Sequence, residues 1–538
     1  MTRAGRARRR PPIALAVAAG TVAALTSLPL AYLLVRAASG GSGAWEILFE
    51  SRTAVVVART LVLAATVTAL ATALGVALAW VITRTDLPGR RFWAVATALP
   101  LVVPSYVAAL ALIAALGPGA PVSAAIEAVP GVDRAPELFG FPGSVLALTL
   151  STYPYVYLLT AAAMRRLDPA LEEAARGLGR SAWATFRSVT LPLLRPSVGA
   201  GALLAALYTL SDFGVVSLMR HDVLTRVIFL QYRTLFDRDP AAVLGLVLVI
   251  LTAVVLVLEA RARGRADLGA GASATPRAAK RQPLGRWRPA ALALCGATVA
   301  LGLVMPVSVL LFWSLRGPSA LEALAAVAVP AGSSLAVAAA AALLAVAAAT
   351  PVGLVSVRFP RFWTGAVERL AYGANALPGV VVALALVFFA SRFAGPLYQT
   401  IAVLLFAYVV RFLPQALSGA RSALVSVNPA LEEAARGLGR SARGAFTSVT
   451  LPLVAPGLLA GATLVFLSTL KELPVTLLLR PIGFDTLATE VWSATSVSAF
   501  SRAAPPALAL IVLAAPIVFR LIERTDERDA RGEALGAA

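Results

Sequence analysis

The hydrophobic positions of the chain fall into long apolar blocks that alternate with short polar segments. Each block has about 20 residues, enough to cross a bilayer core of about 30 Å as an α-helix. A helix satisfies its own backbone hydrogen bonds in lipid, and the blocks lack the alternation of a membrane β-barrel. The pattern predicts an all-α, polytopic membrane protein with about twelve transmembrane helices. The predicted spans lie near residues 13–35, 57–82, 93–116, 143–164, 197–219, 240–259, 290–313, 332–357, 370–391, 398–417, 457–479 and 504–522.

Composition supports this prediction and excludes several kinds of site. Of the 538 residues, 59% are apolar and 14% are charged, against about 45–50% and about 25% in soluble domains. One cysteine, Cys295, and one histidine, His221, cannot form a disulfide or a thiolate or histidine-rich metal cluster. Neither lysine follows a glycine, so the chain has no phosphate-binding P-loop. The sequence therefore predicts no cofactor and no ATP hydrolysis by this chain, and it identifies no metal ligands.

Basic residues predict how the chain lies in the membrane. The net charge is +20, and most Lys and Arg fall in cytoplasmic segments when the N-terminus is placed inside. An even number of spans returns the C-terminus to the same side. The first apolar block is longer than that of a cleavable signal peptide. We therefore expect a multi-pass protein of the cell (inner) membrane with both termini cytoplasmic, and no nucleic-acid partner.

The chain also contains an internal repeat. Residues 171–182 recur unchanged at 431–442, a spacing of 260 residues, and the similarity extends through 171–196 and 431–456. Each predicted half carries six spans, so both halves have the same sidedness and the repeat is parallel. The sequence predicts a first repeat over 1–259, a cytoplasmic linker over 260–289 and a second repeat over 290–538.

The most similar segments of the two halves are cytoplasmic loops, residues 168–196 and 428–456. In the first loop, Asp168 precedes Pro169 as an N-cap, and Gly179 follows the first helix. Ser181 is expected to cap a second helix, which Pro192 is expected to stop. The second loop repeats this plan with Asn428, Pro429, Gly439, Ser441 and Pro452.

These loops resemble the EAA loop of binding-protein-dependent ABC transporter permeases. In each copy Glu-Ala-Ala is followed by a glycine six residues after the glutamate and by an aliphatic-x-Leu-Pro ending; the aliphatic residue is valine, where the family usually has isoleucine. The resemblance assigns ATPase coupling to Glu172, Glu173, Ala174, Ala175, Gly179, Leu191, Pro192, Glu432, Glu433, Ala434, Ala435, Gly439, Leu451 and Pro452.

This resemblance implies the transmembrane permease subunit of an ATP-driven importer. In the family, the EAA loop forms a coupling helix that sits in a groove of an ATPase subunit. Two loops therefore imply two copies of a separate ABC ATPase subunit, and an extracytoplasmic substrate-binding protein would deliver the substrate. Segments such as LKELPVTLLLRPIGFDTLATEVW resemble the fused two-repeat permeases of the ferric iron uptake type. Importer permeases for thiamine, polyamine or sulfate remain alternatives, as do a secondary transporter without an ATPase partner and a membrane scaffold.

Two acidic residues are candidates for the translocation pathway. Asp212 and Glu472 occupy matching positions near the outer ends of the fifth and eleventh predicted spans. Charges inside a membrane are costly, so they are functional candidates by default, and acidic groups suit a cation such as ferric iron. Alternatively, both sit at the membrane interface, Glu472 beside Lys471 and Asp212 capping a break at Gly214.

Prolines in the third span of each half predict interrupted helices. Pro100 and Pro104 lie in the first half and Pro378 in the second, close to Asn375. Interrupted helices of transporters often lie beside the substrate site. We therefore include Asn375 among the candidate pathway residues.

Overall fold

The computed structural model describes residues 10–116, 121–131, 138–234, 239–263, 281–317, 319–373 and 377–537. These residues are helical nearly throughout and contain no β-strand; their one extended pairing is an isolated bridge between Thr85 and Gln282. The predicted all-α, polytopic fold class is confirmed.

The helices are numbered in chain order. The first half contains α1 Ile13–Ser39, α2 Gly41–Glu46, α3 Ser51–Arg84, α4 Arg90–Ala96, α5 Ser105–Leu116, α6 Pro121–Glu127, α7 Phe141–Arg166, α8 Pro169–Gly177, α9 Ala182–Thr185, α10 Leu191–Ser211, α11 Gly214–Leu218, α12 Leu224–Thr234 and α13 Asp239–Arg263. The second half contains α14 Arg288–Val299, α15 Met305–Leu315, α16 Ala320–Arg358, α17 Phe362–Gly373, α18 Gly379–Phe393, α19 Ile401–Ser426, α20 Pro429–Gly437, α21 Ala442–Ala445, α22 Leu451–Leu470, α23 Pro474–Leu479, α24 Leu487–Ser496 and α25 Phe500–Ala537. Short π-helical turns lie at Phe186–Thr190, Ala300–Val304 and Phe446–Thr450.

Within the described ranges, ten continuous helical segments are long and apolar enough to cross a membrane. An eleventh candidate is a bent pair, Arg90–Val102 and Ser105–Leu116, whose two parts meet at 93°. The ninth predicted span, near 370–391, differs from the prediction. It is divided between the end of α17 and the short apolar helix α18.

Both departures from a continuous span occur at prolines. Pro104 immediately precedes α5, and Pro378 is the N-cap of α18. Proline donates no backbone hydrogen bond and disfavours the helical conformation of the residue before it. The interruptions expected from the prolines are therefore present. Pro104 stands just before α5 as Pro378 stands just before α18, so these two prolines have equivalent places in the structure. Pro100 lies within the 3₁₀ turn Leu99–Val102.

The helices form two compact units that do not follow the two halves of the chain. The first-loop unit, which contains the loop 168–196, comprises Phe49–Val227, Ile250–Leu324 and Val491–Ala538. The second-loop unit, which contains the loop 428–456, comprises Met1–Leu48, Ile228–Val249 and Ala325–Glu490. Each unit thus takes segments from both halves. The division into repeats and linker stays a prediction about the sequence, and residues 264–280 of the linker lie outside the described ranges.

In the first-loop unit, α3, α7 and α10 pack closely against one another. Glycines make this possible: a Cβ at Gly201 would lie 2.6 Å from the Val156 Cα, and one at Gly75 would lie 2.7 Å from the Val156 Cβ. The N-terminal part of α5 and the short α11 pack beside this group. The bundle therefore holds the break after α10 against the start of α5.

The second-loop unit has the corresponding packing of α19 on α22 and of α18 on α23. A Cβ at Gly457 of α22 would lie 2.4 Å from the Ala423 Cβ of α19. The backbones of α19 and α22 are therefore in close contact. Helix α1 packs on α17 and α18, and Arg36 of α1 pairs with Asp239 at the start of α13.

Candidate coupling loops and buried carboxylates

The two loops fold alike, as their sequences predict. In the first, the Asp168 carboxylate accepts a hydrogen bond from the Ala170 N–H at 2.9 Å, and α8 runs to Gly177. Gly179 has φ +82°, a backbone conformation that favours glycine. The Ser181 hydroxyl then accepts from the Ala184 N–H at 3.2 Å, so the predicted second cap is confirmed.

The second loop repeats each of these interactions. Asn428 accepts from the Ala430 N–H at 3.0 Å, and Gly439 has φ +87°. Ser441 accepts from the Gly444 N–H at 3.1 Å. The similarity of the two sequences therefore extends to their hydrogen bonds.

The predicted helix stop at Pro192 is wrong, and so is the stop at Pro452. The chain continues through α9, the π-helical turn and α10 as one candidate span, Trp183–Ser211. In the π turn the Leu191 N–H donates to the Phe186 carbonyl five residues earlier. The widened turn accommodates a proline that clashes with the preceding carbonyls in a regular helix. The turn Phe446–Thr450 does the same before Pro452.

Glu172 of the first loop faces its own unit. Its Oε1 accepts a hydrogen bond from the Thr190 hydroxyl at 2.9 Å and lies 3.5 Å from the Arg84 Nη2. Arg84 is the last residue of α3, is 5% exposed, and donates to the Met164 carbonyl at 2.9 Å. This polar cluster, Arg84–Glu172–Thr190, joins α8 to the ends of three long helices, α3, α7 and α10.

Glu432 occupies the same place in the second loop. Its Oε2 accepts from the Thr450 hydroxyl at 2.9 Å and lies 4.0 Å from the Nη2 of Arg358, the last residue of α16. We call this the Arg358–Glu432–Thr450 cluster. Sequence reasoning missed both arginines, although each ends a long apolar block shortly before a Phe-Trp pair, at 92–93 and 362–363.

The opposite face of α8 and of α20 is exposed. Glu173 and Glu433 are exposed, whereas the alanines two residues later, Ala175 and Ala435, are buried. The residue that follows each helix is a leucine between two glycines, and its side chain is exposed to solvent. Leu178 is 84% exposed and Leu438 is 87% exposed. The two loops thus expose the same apolar side chain at equivalent positions.

The other loop residues assigned to ATPase coupling are exposed or half-buried. Ala174 and Ala434 are exposed on the helices. Leu191 and Pro192 are half-buried at the start of α10, whereas Leu451 and Pro452 are exposed at the start of α22.

The two candidate pathway carboxylates are buried at helix breaks. Asp212 follows α10, and its Oδ1 accepts from the Val215 N–H at 2.9 Å, so it caps α11. Its Oδ2 accepts from the Ser105 hydroxyl at 2.7 Å, at the start of α5. Thr225 donates to the Asp212 carbonyl at 2.7 Å. The alternative expected from the sequence, that Asp212 caps a helix break at Gly214, is therefore confirmed.

Glu472 caps the equivalent break before α23. Its Oε1 accepts from the Val475 N–H at 3.2 Å, and Thr476 donates to its carbonyl at 2.8 Å. Its other oxygen lies 3.1 Å from the Nε of Arg411, which the sequence analysis did not single out. Arginine inside a predicted span was the available signal, because such a charge needs a partner. A Cβ at Gly379 would lie 2.7 Å from Arg411, so the start of α18 also touches this pair.

Asn375, the third candidate pathway residue, lies outside the described residues. Among the residues that are described, no three His, Cys, Asp or Glu side chains are grouped so that they could hold a metal ion.

Comparisons with known proteins agree with this arrangement. The family model for "Binding-protein-dependent transport system inner membrane component" matches residues 71–263 and 341–522, more than half of the chain and both loops. The chain is 32% identical over 518 residues to the Fe(3+)-transport system permease protein FbpB 2 of Haemophilus influenzae, covering 95% of this chain and 98% of the relative.

Two further relatives are more distant. A probable ABC transporter permease protein, y4fN, of Sinorhizobium fredii is 28% identical over 74% of each chain. The probable sulfate transport system permease protein cysT of Chlorella vulgaris is 30% identical over 33% of this chain and 67% of its own length. With two family matches and a relative at 32% identity along nearly the whole chain, this protein belongs to the family of inner membrane components of binding-protein-dependent transport systems and is an ABC transporter permease.

Proposed function

We propose that this chain is the permease subunit of an ATP-driven importer of ferric iron. The observation that carries the substrate assignment is the identity to a relative named as an Fe(3+)-transport permease, which extends over 95% of the chain. Because this match includes both loops and both helix breaks, it is broader than the match to the sulfate permease, which covers a third of the chain.

ATP hydrolysis would take place in a separate ABC ATPase subunit, since this chain has no P-loop. Two copies of that subunit would dock, one on α8 and one on α20. An extracytoplasmic substrate-binding protein would deliver iron from the other side, and both termini would be cytoplasmic in the inner membrane. The equal exposure of Leu178 and Leu438 supports two equivalent docking surfaces.

Within each loop, the two adjacent glutamates would have different tasks. Glu173 and Glu433 are exposed and would contact the ATPase. Glu172 and Glu432 are bonded to Thr190 and Thr450 and would hold each coupling helix to its own bundle. A displacement of the coupling helix would then move the cytoplasmic ends of the spans, because these hydrogen bonds connect each helix to its bundle.

The proposed pathway includes Asp212, Glu472 and Asn375. Their support is the position of the two carboxylates at matching helix breaks and the place of Asn375 just before Pro378. Carboxylates near the membrane suit a cationic substrate.

The coupling proposal is tested with Glu173→Lys combined with Glu433→Lys in the complete transporter, reconstituted in vesicles. We expect loss of ATP-driven uptake and loss of ATPase copurification, while the permease still inserts in the membrane. The matched control is Glu46→Lys with Glu50→Lys, which makes the same charge change at exposed positions outside the loops. Normal ATP-driven uptake by the loop variant would refute the proposed coupling role.

The substrate proposal is tested by measuring which substrate stimulates ATP hydrolysis and enters the vesicles. Ferric iron is expected to do both, and sulfate, thiamine and polyamines neither. Uptake that needs an ion gradient but no ATPase would indicate a secondary transporter instead.

A further inference from the structure

The end of the first-loop unit that lies away from its loop carries a group of basic side chains. Arg84, the last residue of α3, contacts Glu172 of the loop. Arg59 lies 25 residues earlier in the same helix, about 38 Å away along its axis at about 1.5 Å per residue. Because a bilayer core is about 30 Å thick, Arg59 and the loop lie toward opposite membrane surfaces.

The segment between α11 and α12 brings further cations to Arg59. The Leu224 N–H donates to the Thr60 hydroxyl at 3.0 Å, so the start of α12 is held against α3. Burial lowers the pKa of His221, and Arg59 and Arg226 lower it further because both are positively charged. The electrostatic potential around this histidine is therefore positive.

Arg226 in turn interacts electrostatically with Arg220. We call Arg59, Arg220 and Arg226 the basic patch. Arg226 forms an ion pair with Asp222. Arg59 and Arg220 are exposed, and no carboxylate pairs with either of them within the described ranges. The patch thus keeps a positive charge that its own unit does not neutralise.

The backbone at Arg220 is unusual for a residue with a side chain. At the end of α11, the His221 N–H donates to the Val216 carbonyl at 2.8 Å and the Arg220 N–H to the Ser217 carbonyl at 3.2 Å. Arg220 has φ +54°, at a position that glycine usually takes. Arg480, 260 residues later, has φ −60°. Unfavourable backbone conformations of this kind are concentrated at functional sites.

The second-loop unit lacks the patch at its equivalent end. There the Leu487 N–H donates to the Ser334 hydroxyl at 2.9 Å, as the corresponding leucine of the first half donates to Thr60. The residue before Ser334 is Ser333, where the first half has Arg59 before its threonine. The second half therefore has a neutral side chain in place of this arginine.

Arg480, the counterpart of Arg220, is neutralised within its own unit. It forms an ion pair with Asp485 and interacts electrostatically with Glu490. The repeat therefore does not account for the patch. Membrane topology gives no reason for it either, because topology places basic residues chiefly on the cytoplasmic side.

We propose that the basic patch is a docking surface for an acidic surface of the extracytoplasmic substrate-binding protein. This inference rests on the proposed function, which places the ATPase at the loops and the binding protein on the other side. Exposed guanidinium groups bind carboxylates with two parallel hydrogen bonds. Unpaired charges on one partner also steer an oppositely charged partner and speed its association.

The test measures association of the substrate-binding protein of the reconstituted transporter with the permease in phosphatidylcholine nanodiscs. For Arg59→Glu combined with Arg220→Glu, we expect the association rate constant to fall about tenfold or more. Wild-type association should slow as salt is added, because salt screens exposed charges. Arg59→Lys combined with Arg220→Lys keeps the charge and should retain most of the wild-type rate.

The matched control is Arg392→Glu combined with Arg502→Glu, the same charge change at exposed positions outside the patch. It should leave the association rate constant unchanged. Thermal unfolding midpoints and ATPase copurification verify that each variant folds. An unchanged rate in the patch variant, or equal losses in the two pairs, would overturn the docking surface.

Anionic lipid is the other occupant that the charge of the patch could attract. If the patch variant loses copurifying anionic lipid but associates normally with the binding protein, the patch is a lipid site and the docking proposal is wrong.

Transport separates this inference from the proposed function. If the wild-type complex imports iron and the patch variant does so with the same KM for the loaded binding protein, the docking surface is wrong and the importer function stands. If no substrate-binding protein stimulates ATP hydrolysis by the wild-type complex, the proposed function is wrong.

Discussion

Glu172 accepts a hydrogen bond from the Thr190 hydroxyl at 2.9 Å, and eighteen residues separate the two along the chain. Glu432 and Thr450 repeat this bond at the same distance and separation. The bond fastens α8 to the π-helical turn near the start of the next candidate span. Because Arg84 completes the first cluster from the end of α3, the loop is attached to the bundle by a buried charge pair and not only by its covalent connections.

The Arg84–Glu172–Thr190 cluster makes a prediction about stability. Glu172→Gln removes the counter-charge of an arginine that is 5% exposed, and an unsatisfied buried polar group costs about 1–3 kcal/mol. We expect a lower unfolding midpoint for the purified permease. Glu173→Gln, at the adjacent exposed position, is the control and should leave the midpoint unchanged. Equal midpoints for the two variants would mean that the cluster does not stabilise the fold.

The end of α8 gives a second prediction, about Gly179. A Cβ at this residue would meet nothing within 4 Å, so the cost of Gly179→Ala comes from its φ of +82° alone. That conformation costs about 1–2 kcal/mol for a residue with a side chain. Gly177→Ala is the matched control, because it is also open but has no positive φ. Thermal unfolding should show destabilisation by the first change and none by the second.

Hydrophobic pattern and helix-capping residues predicted much of this protein. The apolar blocks are long helices, and the caps at Asp168 and Ser181 are formed as expected. The helix interruptions at Pro104 and Pro378 were also indicated, since proline acts locally.

Features that depend on distant parts of the chain were not predictable in the same way. The prolines Pro192 and Pro452 were expected to end helices, but a π turn accommodates each of them within a continuous span. Arg84 and Arg411 became meaningful only when packing brought them to Glu172 and Glu472.

Close packing of α7 on α10 makes a third prediction. In Gly201→Ala the new Cβ would lie 2.6 Å from the Val156 Cα, a backbone atom that can move only with its helix. Overpacking of this kind costs about 1–3 kcal/mol. Gly199→Ala, two residues earlier in α10, has nothing within 4 Å and is the control. We expect a lower unfolding midpoint for Gly201→Ala only, and equal midpoints would contradict the close approach.

The last prediction concerns His221, which lies between α11 and α12, outside the candidate spans. Burial, together with the nearby Arg59 and Arg226, lowers the pKa of His221 below its usual value of about 6.5. Its Nε2 is buried and has no hydrogen-bond partner among the described residues, and its ring meets Phe141 edge to face. The histidine is therefore neutral in the folded protein near neutral pH.

The sign of the pH dependence follows from this lowered pKa. As pH falls through about 6.5, the unfolded chain takes up the proton before the folded protein does, so acidification costs stability that is fully present at higher pH. The unfolding midpoint of the wild type should therefore fall more, between about pH 7.5 and about pH 5, than that of His221→Gln, which does not titrate. If the unfolding midpoints of the wild type and of His221→Gln differ by the same amount at every pH, His221 is protonated as easily in the folded protein as in the unfolded chain.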